Sequence, residues 1–308
     1  MKYRLHLSYL LIAIFCLLLG GCSGSSAASG KEHSGAPRDS TPKVLTPSAD
    51  GVTVYQNDLA SIDASNTSQG YVMVKYNGTN EKVKLQITCP DQSCYTYLIS
   101  DRGAYDTFPL TAGNGSYALQ VLENVAGDTY TVSLAQSINV SIEDEFLPFL
   151  YPNQYVNFHT DSKAVSKGSD LAKDTYSDLD VVQNIYNYVI KNISYDTEKA
   201  QNVSYGYVPD IDDTLSSKKG ICFDYAALMT SMLRSQNIPT KLEVGYSGDA
   251  YHAWISTYID DKGWVDDIIQ FDGDTWQIMD PTLAATNDSA AVKKYVGDGS
   301  HYVVKYTY

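Results

Sequence analysis

A cysteine, a histidine and an aspartate follow one another at intervals of 30 and 28 residues in the second half of the chain. Cys222 comes shortly after Gly220 and opens a segment with helical spacing, His252 opens the run HAWISTYI, and Asp280 ends the run WQIMD. A thiol at a helix N-terminus faces the positive end of the helix dipole and unpaired backbone N–H groups, which favour the thiolate and can bind an oxyanion. We interpret Cys222 as a nucleophile, His252 as its proton partner and Asp280 as the carboxylate that orients the imidazole.

Each of these residues also has an ordinary structural interpretation. A histidine at the start of a strand is more often a surface or packing residue, and an aspartate before a proline usually forms a turn. Alternation along the two runs places His252 on one face with Trp254, and Asp280 on one face with Trp276. If the two strands are neighbours, we expect the tryptophans to exclude water from the histidine and the aspartate.

One helix and several strands must bring these residues together. Helical spacing predicts a helix within residues 178–196 and another from Cys222 to Gln236, which ends before Pro239. Strand-like runs follow at TKLEVGYS, HAWISTYI, TWQIMD and HYVVKYTY. Helices followed by antiparallel strands predict an α+β domain over residues 146–308.

The region before this domain has a different pattern. Between Gly51 and Glu143, alternating runs such as YVMVKY, KVKLQIT and YALQVLE are separated by turn residues. This pattern predicts an antiparallel β-sandwich-like domain over residues 51–145. The chain has 26 Tyr against 7 Phe, a bias that suits half-buried strands. A surface polymer or another protein is the kind of partner that we consider for this domain.

The N-terminus resembles that of a bacterial lipoprotein. A basic start is followed by the apolar run Leu10–Leu19 and by LLLGGC, which is similar to the lipobox that is cut before its cysteine. The resemblance implies a signal peptide over residues 1–21, a lipid on Cys22 and a membrane-anchored protein on the extracytoplasmic face of a bacterial cell. An ordinary secretory signal with a chance cysteine is the alternative. Small and polar residues then predict a flexible linker over residues 22–50.

A location outside the cytoplasm suggests a role for each of the five cysteines. Cys16 lies in the segment that would be removed, and Cys22 would carry the lipid. Cys89 and Cys94 flank a turn-like stretch, TCPDQSCY, and we predict a disulfide between them because the compartment is oxidising. A zinc site is the weaker alternative, since two thiols are too few ligands. Cys222 then remains as a single free thiol, as a nucleophile requires.

The charge of the chain limits its partners. The formal net charge is −14 at pH 7, from 22 Lys+Arg and 36 Asp+Glu, which argues against nucleic acid as a partner. The acidic run Asp210–Asp213 lacks the regular ligand spacing of a calcium loop, so we interpret it as solvated and predict no metal and no cofactor.

The motifs GICFDYAALMTSMLRSQNIPTKLEVGY, HAWI and WQIMDPT together resemble the core of the transglutaminase-like superfamily, over roughly residues 175–308. The resemblance implies a papain-like α+β fold, with Cys222 as nucleophile, His252 as base and Asp280 as the orienting carboxylate. The signature that papain-type proteases carry around their cysteine is absent.

The resemblance leaves two features open. The stretch DDKGWVDDIIQFDGD before Asp280 is longer than the hairpin common in the superfamily, so Asp266 and Asp267 stay as alternatives to Asp280. The family also implies a side-chain donor to the oxyanion upstream of the cysteine, for which Tyr205 and Tyr207 are candidates.

Three functions are compatible with these residues. The first is acyl transfer from a protein or peptide amide to an amine through a Cys222 thioester. The second uses water as the acceptor, which makes the protein a cysteine protease or amidase, and the shape of the cleft decides between the two. The third is a non-catalytic surface-binding lipoprotein, which the complete set of Cys222, His252 and Asp280 argues against.

Overall fold

The computed structural model of the chain describes residues 35–260, 262–265, 269–271, 276–278 and 302–308. Several residues singled out above lie outside this part of the chain: Cys16, Cys22, Asp266, Asp267 and Asp280. The described residues from Pro37 to Tyr308 belong to one compact unit. Among them, no helix combines the length and the apolar character that crossing a bilayer requires.

The first half of this unit consists of two four-stranded antiparallel sheets, one in the order β1-β2-β3-β6 and the other in the order β5-β4-β7-β8. Their strands are β1 (Val54–Gln56), β2 (Ala60–Asp63), β3 (Tyr71–Tyr76), β4 (Val83–Thr88), β5 (Cys94–Leu98), β6 (Asp106–Pro109), β7 (Gly115–Ala126) and β8 (Thr129–Val140). Every second residue of β4 is buried, as the alternation in KVKLQIT predicts.

Side chains join the two sheets across a common core. The ring of Tyr97 on β5 lies 4.9 Å from that of Phe108 on β6, in an edge-to-face arrangement. The hydroxyl of Tyr76 on β3 donates to the carboxylate of Glu123 on β7. The β-rich, sandwich-like architecture predicted for this half is therefore confirmed.

The second half is helical and then β-stranded. Its helices are α1 (Lys163–Ala172), α2 (Asp178–Asn192), α3 (Thr197–Asn202), α4 (Ile211–Ser217) and α5 (Cys222–Ser235). Its strands are β9 (Ser194–Tyr195), β10 (Lys219–Gly220), β11 (Thr240–Ser247), β12 (Ala250–Ile259), β13 (Gly263–Val265), β14 (Ile269–Phe271), β15 (Trp276–Ile278) and β16 (Tyr302–Thr307). The main sheet has the order β13-β12-β11-β16, and all of its pairs are antiparallel. The predicted α+β class is confirmed.

Helix α5 lies at the centre of this half. Every residue from Asp224 to Ser235 is buried, because α1, α2 and α4 pack around the helix and the main sheet covers another side. Gly168 of α1 permits a close helix crossing, since a Cβ at this position would lie 3.1 Å from the carbonyl oxygen of Met232. The packing holds the first residue of α5 in a fixed place.

A cluster of tyrosines connects the two halves. Tyr308, which follows β16, contacts the rings of Tyr95 and Tyr97 on β5 at 5.7 and 5.9 Å, and that of Tyr155 at 4.8 Å. The backbone N–H of Thr307 donates to the hydroxyl of Tyr95. The sheet of β5 therefore packs directly against the strands that follow α5.

The second part of the predicted linker differs from the expectation. Arg38 forms an ion pair with Asp178 at the start of α2, at 2.5 Å, and its backbone N–H donates to the carbonyl of Thr175. The backbone N–H of Lys43 donates to the carbonyl of Ser235 at the end of α5. Residues 37–43 are thus bound along the helices, because their main-chain polar groups pair with helix ends.

The disulfide predicted between Cys89 and Cys94 is not formed, and both thiols are free. Thr88, not Cys89, is paired with Cys94 across β4 and β5. Since side chains alternate between the two faces of a sheet, Cys89 points into the core and Cys94 points to solvent. Spacing in the sequence could not reveal this one-residue offset.

The two thiols are expected to react very differently with alkylating reagents. Burial raises the pKa of Cys89 to about 11, so at pH 8 this thiol is neutral as well as inaccessible. We expect iodoacetamide at pH 8 to modify Cys94 in the native protein and to modify Cys89 only after unfolding. Neither reaction should require a reductant, because both thiols are free. Peptide mass mapping provides the measurement, and recovery of a Cys89–Cys94 disulfide peptide would contradict this arrangement.

Candidate active site

Cys222 is the first residue of α5, as the sequence predicts. The short strand β10 pairs in parallel with β9 and leads into Ile221, which has extended backbone angles and precedes the helix. Gly220 is required here because a Cβ at this position would lie 2.7 Å from the Cβ of Asp224. The Cys222 side chain is half-buried at the open end of the helix, where backbone N–H groups have no helical partner.

A buried carboxylate organises this end of the helix. Asp224 has no exposed surface, and it accepts a hydrogen bond from the backbone N–H of Ile221 at 2.8 Å. It also forms an ion pair with Lys199 of α3 at 2.7 Å and accepts a hydrogen bond from the hydroxyl of Tyr207 at 2.5 Å. A fully buried charge needs such partners, because leaving it unpaired is costly.

The hydroxyl of Tyr207 is held as a neutral donor in this network. Burial, and then the hydrogen bond to Asp224, raise the pKa of Tyr207 above its ordinary value. Its neighbour Gly206, at φ 79°, lies against Leu98 of β5, where a Cβ would come within 2.0 Å of the leucine side chain. The loop of residues 203–207 is thus bound both to the helix that begins with Cys222 and to the sandwich.

The two candidate oxyanion donors are placed differently. Tyr207 directs its hydroxyl to Asp224 and also accepts a hydrogen bond from Lys199. Tyr205 is 75% exposed and lines the cleft described below. The Asp224, Lys199 and Tyr207 network was not predicted, since its members are 17 and 25 residues apart and share no short motif.

His252 is the third residue of β12 and is paired with Gly245 of β11. Its ring is stacked with that of Trp254, with centroids 6.3 Å apart and an interplanar angle of 29°, so the predicted shared face is confirmed. Trp254 is 1% exposed, whereas Ala253, on the alternate face, belongs to the core that includes α5. The buried indole shields one side of the imidazole from water.

The third predicted catalytic residue, Asp280, lies outside the described residues. The run that precedes it does form a strand, β15, and this strand pairs with β14. Within the described part of the sheet, β12 lies between β13 and β11, so the expected pairing of the histidine and aspartate strands is not found there. The reason is that the long stretch between His252 and Asp280 contributes β13 and β14 of its own.

Cys222 and His252 line one cleft of about 790 Å³. The cleft is lined by the start of α5, the loop of residues 203–207 and the beginning of β12, and also by residues of β4, β5, β7 and β8. Among the residues that the structure describes, eight tyrosines line it: Tyr130, Tyr155, Tyr195, Tyr205, Tyr207, Tyr251, Tyr306 and Tyr308. A volume of this size lies within the range of pockets that bind ligands.

The acidic run of residues 210–213 serves as a pair of helix caps rather than as solvated loop. Asp210 accepts hydrogen bonds from the backbone N–H groups of Asp212 and Asp213 at the start of α4. Asp212 accepts from those of Lys163 and Ala164 at the start of α1. Across the described residues, no group of three or more His, Cys, Asp or Glu side chains is arranged to hold a metal ion.

The geometry can be compared with known proteins. Residues 166–266, which include Cys222 and His252, match the family model of the transglutaminase-like superfamily. Over these residues the chain is similar to the transglutaminase-like superfamily. Its nucleophile candidate, the helix that this residue begins and the strand with His252 all lie within the matched segment.

The individual proteins that this chain is similar to are distant from it. A UPF0252 protein of Methanocaldococcus jannaschii is 32% identical over 98 residues, and the match covers 28% of this chain and 28% of that protein's length. A "putative cysteine protease" of Cytophaga hutchinsonii has a TM-score of 0.34 at 16% identity, with 75% of this chain and 69% of that chain covered. For red sea bream transglutaminase the TM-score is 0.27 at 14% identity, with 71% and 48% covered.

Proposed function

We propose that the protein is a cysteine acyltransferase that acts on protein or peptide amides through a thioester at Cys222. The observation that carries this proposal is the position of Cys222 at the first residue of a buried helix, in a cleft that His252 also lines. A structural cysteine is usually enclosed by apolar side chains, whereas this thiol is half-buried at an accessible helix N-terminus.

The reaction would proceed in two steps. In the first, the imidazole of His252 takes the proton of the Cys222 thiol, Sγ bonds to the amide carbon, and the oxyanion is stabilised by N–H groups at the start of α5. The protonated imidazole then donates its proton to the leaving amine or ammonia, and the C–N bond breaks. This proton transfer requires the imidazole of His252, which lies near the start of β12, to reach the Sγ atom of Cys222.

In the second step an acceptor resolves the thioester. A primary amine gives a new amide and water gives a carboxylic acid, and in both cases His252 takes the acceptor's proton and the thiol is regenerated. Asp280 would orient the imidazole, with Asp266 and Asp267 as alternatives. The alternative function, a cysteine protease or amidase, differs only in using water, so the same residues serve both.

One experiment separates these two functions. The purified chain is incubated with a glutamine-containing protein and a fluorescent primary amine, and amine incorporation and ammonia release are followed together. We expect covalent incorporation of the amine. Ammonia release or chain cleavage without incorporation would instead establish a hydrolase, and the absence of both reactions would favour a non-catalytic binding protein.

We also propose that the protein is a lipoprotein anchored on the outside of a bacterial cell, as LLLGGC suggests. The lipid would be attached to Cys22, so Cys22→Ala should abolish metabolic labelling with a radioactive fatty acid. The matched control is Cys16→Ala, since this residue would be removed with the signal peptide, and it should label normally. Equal labelling of Cys22→Ala and wild type would contradict the anchor.

A further inference from the structure

Part of the lining of the cleft comes from the sandwich. Lys84, Gln86, Thr96 and Leu98, on the adjacent strands β4 and β5, present their side chains to the cleft that contains Cys222. A substrate that fills this cleft while bound at Cys222 would therefore contact this sheet. The sandwich is part of the binding site and is well placed to select substrates.

The charge of the cleft differs from that of the chain. Among the described residues that line it, Lys84 is the only lysine or arginine, and there is no aspartate or glutamate, although the chain has 36 of these. Burial raises the pKa of Tyr155, Tyr251 and Tyr308, so these three lining side chains stay neutral. Anionic groups of a substrate would thus be repelled by most of the protein surface but attracted here.

Aromatic rings orient the Lys84 side chain, and no ion pair neutralises its charge in the described part of the chain. Its ammonium lies 4.1 Å from the ring centroid of Tyr130 and 5.6 Å from that of Tyr205. In the described part of the chain no carboxylate lies within ion-pair distance of it. Contacts with aromatic rings hold a cation in place but leave its full charge available to a ligand.

We propose that Lys84 is a specificity residue that binds a carboxylate of the substrate peptide, so that the site selects acidic peptides. This proposal rests on the acyl-transfer function proposed above and adds its substrate class. The carboxylate would be accepted between the Lys84 ammonium and the hydroxyl of Tyr205, while the reacting amide lies at Cys222.

Binding can be measured apart from chemistry with Cys222→Ala protein. The probes are glutamine peptides that carry either glutamate or the neutral methionine at each flanking position in turn. We expect one glutamate position to lower the Kd about tenfold relative to methionine, and we expect this preference to shrink at high salt. Lys84→Met should remove the preference, and Lys84→Glu should transfer it to peptides with lysine at that position.

Lys75→Met is the matched control, because Lys75 also lies over a tyrosine ring, that of Tyr105, at 4.9 Å, but does not line the cleft. It should keep the wild-type preference. Three results would each overturn the proposal: equal Kd values for glutamate and methionine peptides, no peptide binding at all, or an unchanged preference in Lys84→Met. Turnover of the same peptides by wild-type protein is measured separately, so selective binding without turnover would refute the acyltransferase function alone.

Discussion

Replacing Cys222 by alanine is expected to lower amide turnover by about 10³-fold or more, since removal of the nucleophile from a comparable set of catalytic residues costs on the order of 10⁶-fold. The loss should occur in both steps, because without Sγ no thioester forms and neither amine nor water has an acyl group to accept. Amine incorporation and ammonia release, measured with purified variant and wild type, should fall together.

The comparison with Cys94→Ala makes this result specific. Cys94 is an exposed free thiol on β5, and it lies outside the lining of the cleft, so its removal should leave turnover within about twofold of wild type. Cys222→Ala should keep the thermal unfolding profile of wild type, since the side chain is half-buried and small. Turnover by Cys222→Ala at the wild-type rate would show that any activity arises elsewhere.

Replacing Arg234 by methionine is expected to cost about 3–5 kcal/mol of folding free energy. The side chain is fully buried near the end of α5, and its guanidinium donates to three main-chain oxygens, those of Thr240 at 2.9 Å, Tyr151 at 2.7 Å and Tyr308 at 2.8 Å. Methionine would fill part of the space but would remove the guanidinium donor from all three oxygens, of which that of Tyr308 would keep the backbone N–H of Leu242. Urea unfolding with linear extrapolation measures the difference.

The loss of stability in Arg234→Met should also affect the interface between the two halves of the protein. Tyr308 contacts Tyr95 and Tyr97 of the sandwich. Loss of its hydrogen bond from Arg234 should therefore weaken the attachment of β16 both to α5 and to the sandwich. Arg234→Lys should recover part of the stability, because one ammonium can still reach some of the acceptors. Arg102→Met is the control, since the Arg102 side chain is exposed and, within the described residues, donates one hydrogen bond, to the carbonyl of Asn80. It should change stability by less than about 0.5 kcal/mol. Equal stability of Arg234→Met and wild type would contradict this role.

Local patterns in the sequence predicted the elements well. The helix predicted from Cys222 to Gln236 spans Cys222–Ser235, and the helix predicted within residues 178–196 spans Asp178–Asn192. In the second of these, Ser177 and Asp180 form a capping box that ends the preceding loop. Hydrophobic periodicity and caps act over a few residues, so a single sequence contains the information for them.

Features that depend on contacts between distant residues were not predicted. In the pairing of β4 with β5, Cys94 lies opposite Thr88 and not opposite Cys89. This offset of one residue puts the two cysteines on opposite faces of the sheet. Similarly, the salt bridge between Lys199 and Asp224 forms only when α3 and α5 pack together, and Lys84 and Cys222 line one cleft only when the two halves pack together. For the same reason, the sequence motif around Cys222 predicts a nucleophile but not the cleft in which it lies.

The central claim, that Cys222 is a nucleophile assisted by His252, is tested most directly by its alkylation rate in the native protein. Iodoacetamide labelling at pH 7 is followed by peptide mass mapping, with the exposed Cys94 as an internal reference in the same molecule. We expect Cys222 to react at least about tenfold faster than Cys94 in wild type, despite its lower exposure, and to lose this advantage in His252→Ala. If Cys222 reacts no faster than Cys94, or equally fast with and without His252, the catalytic account is contradicted.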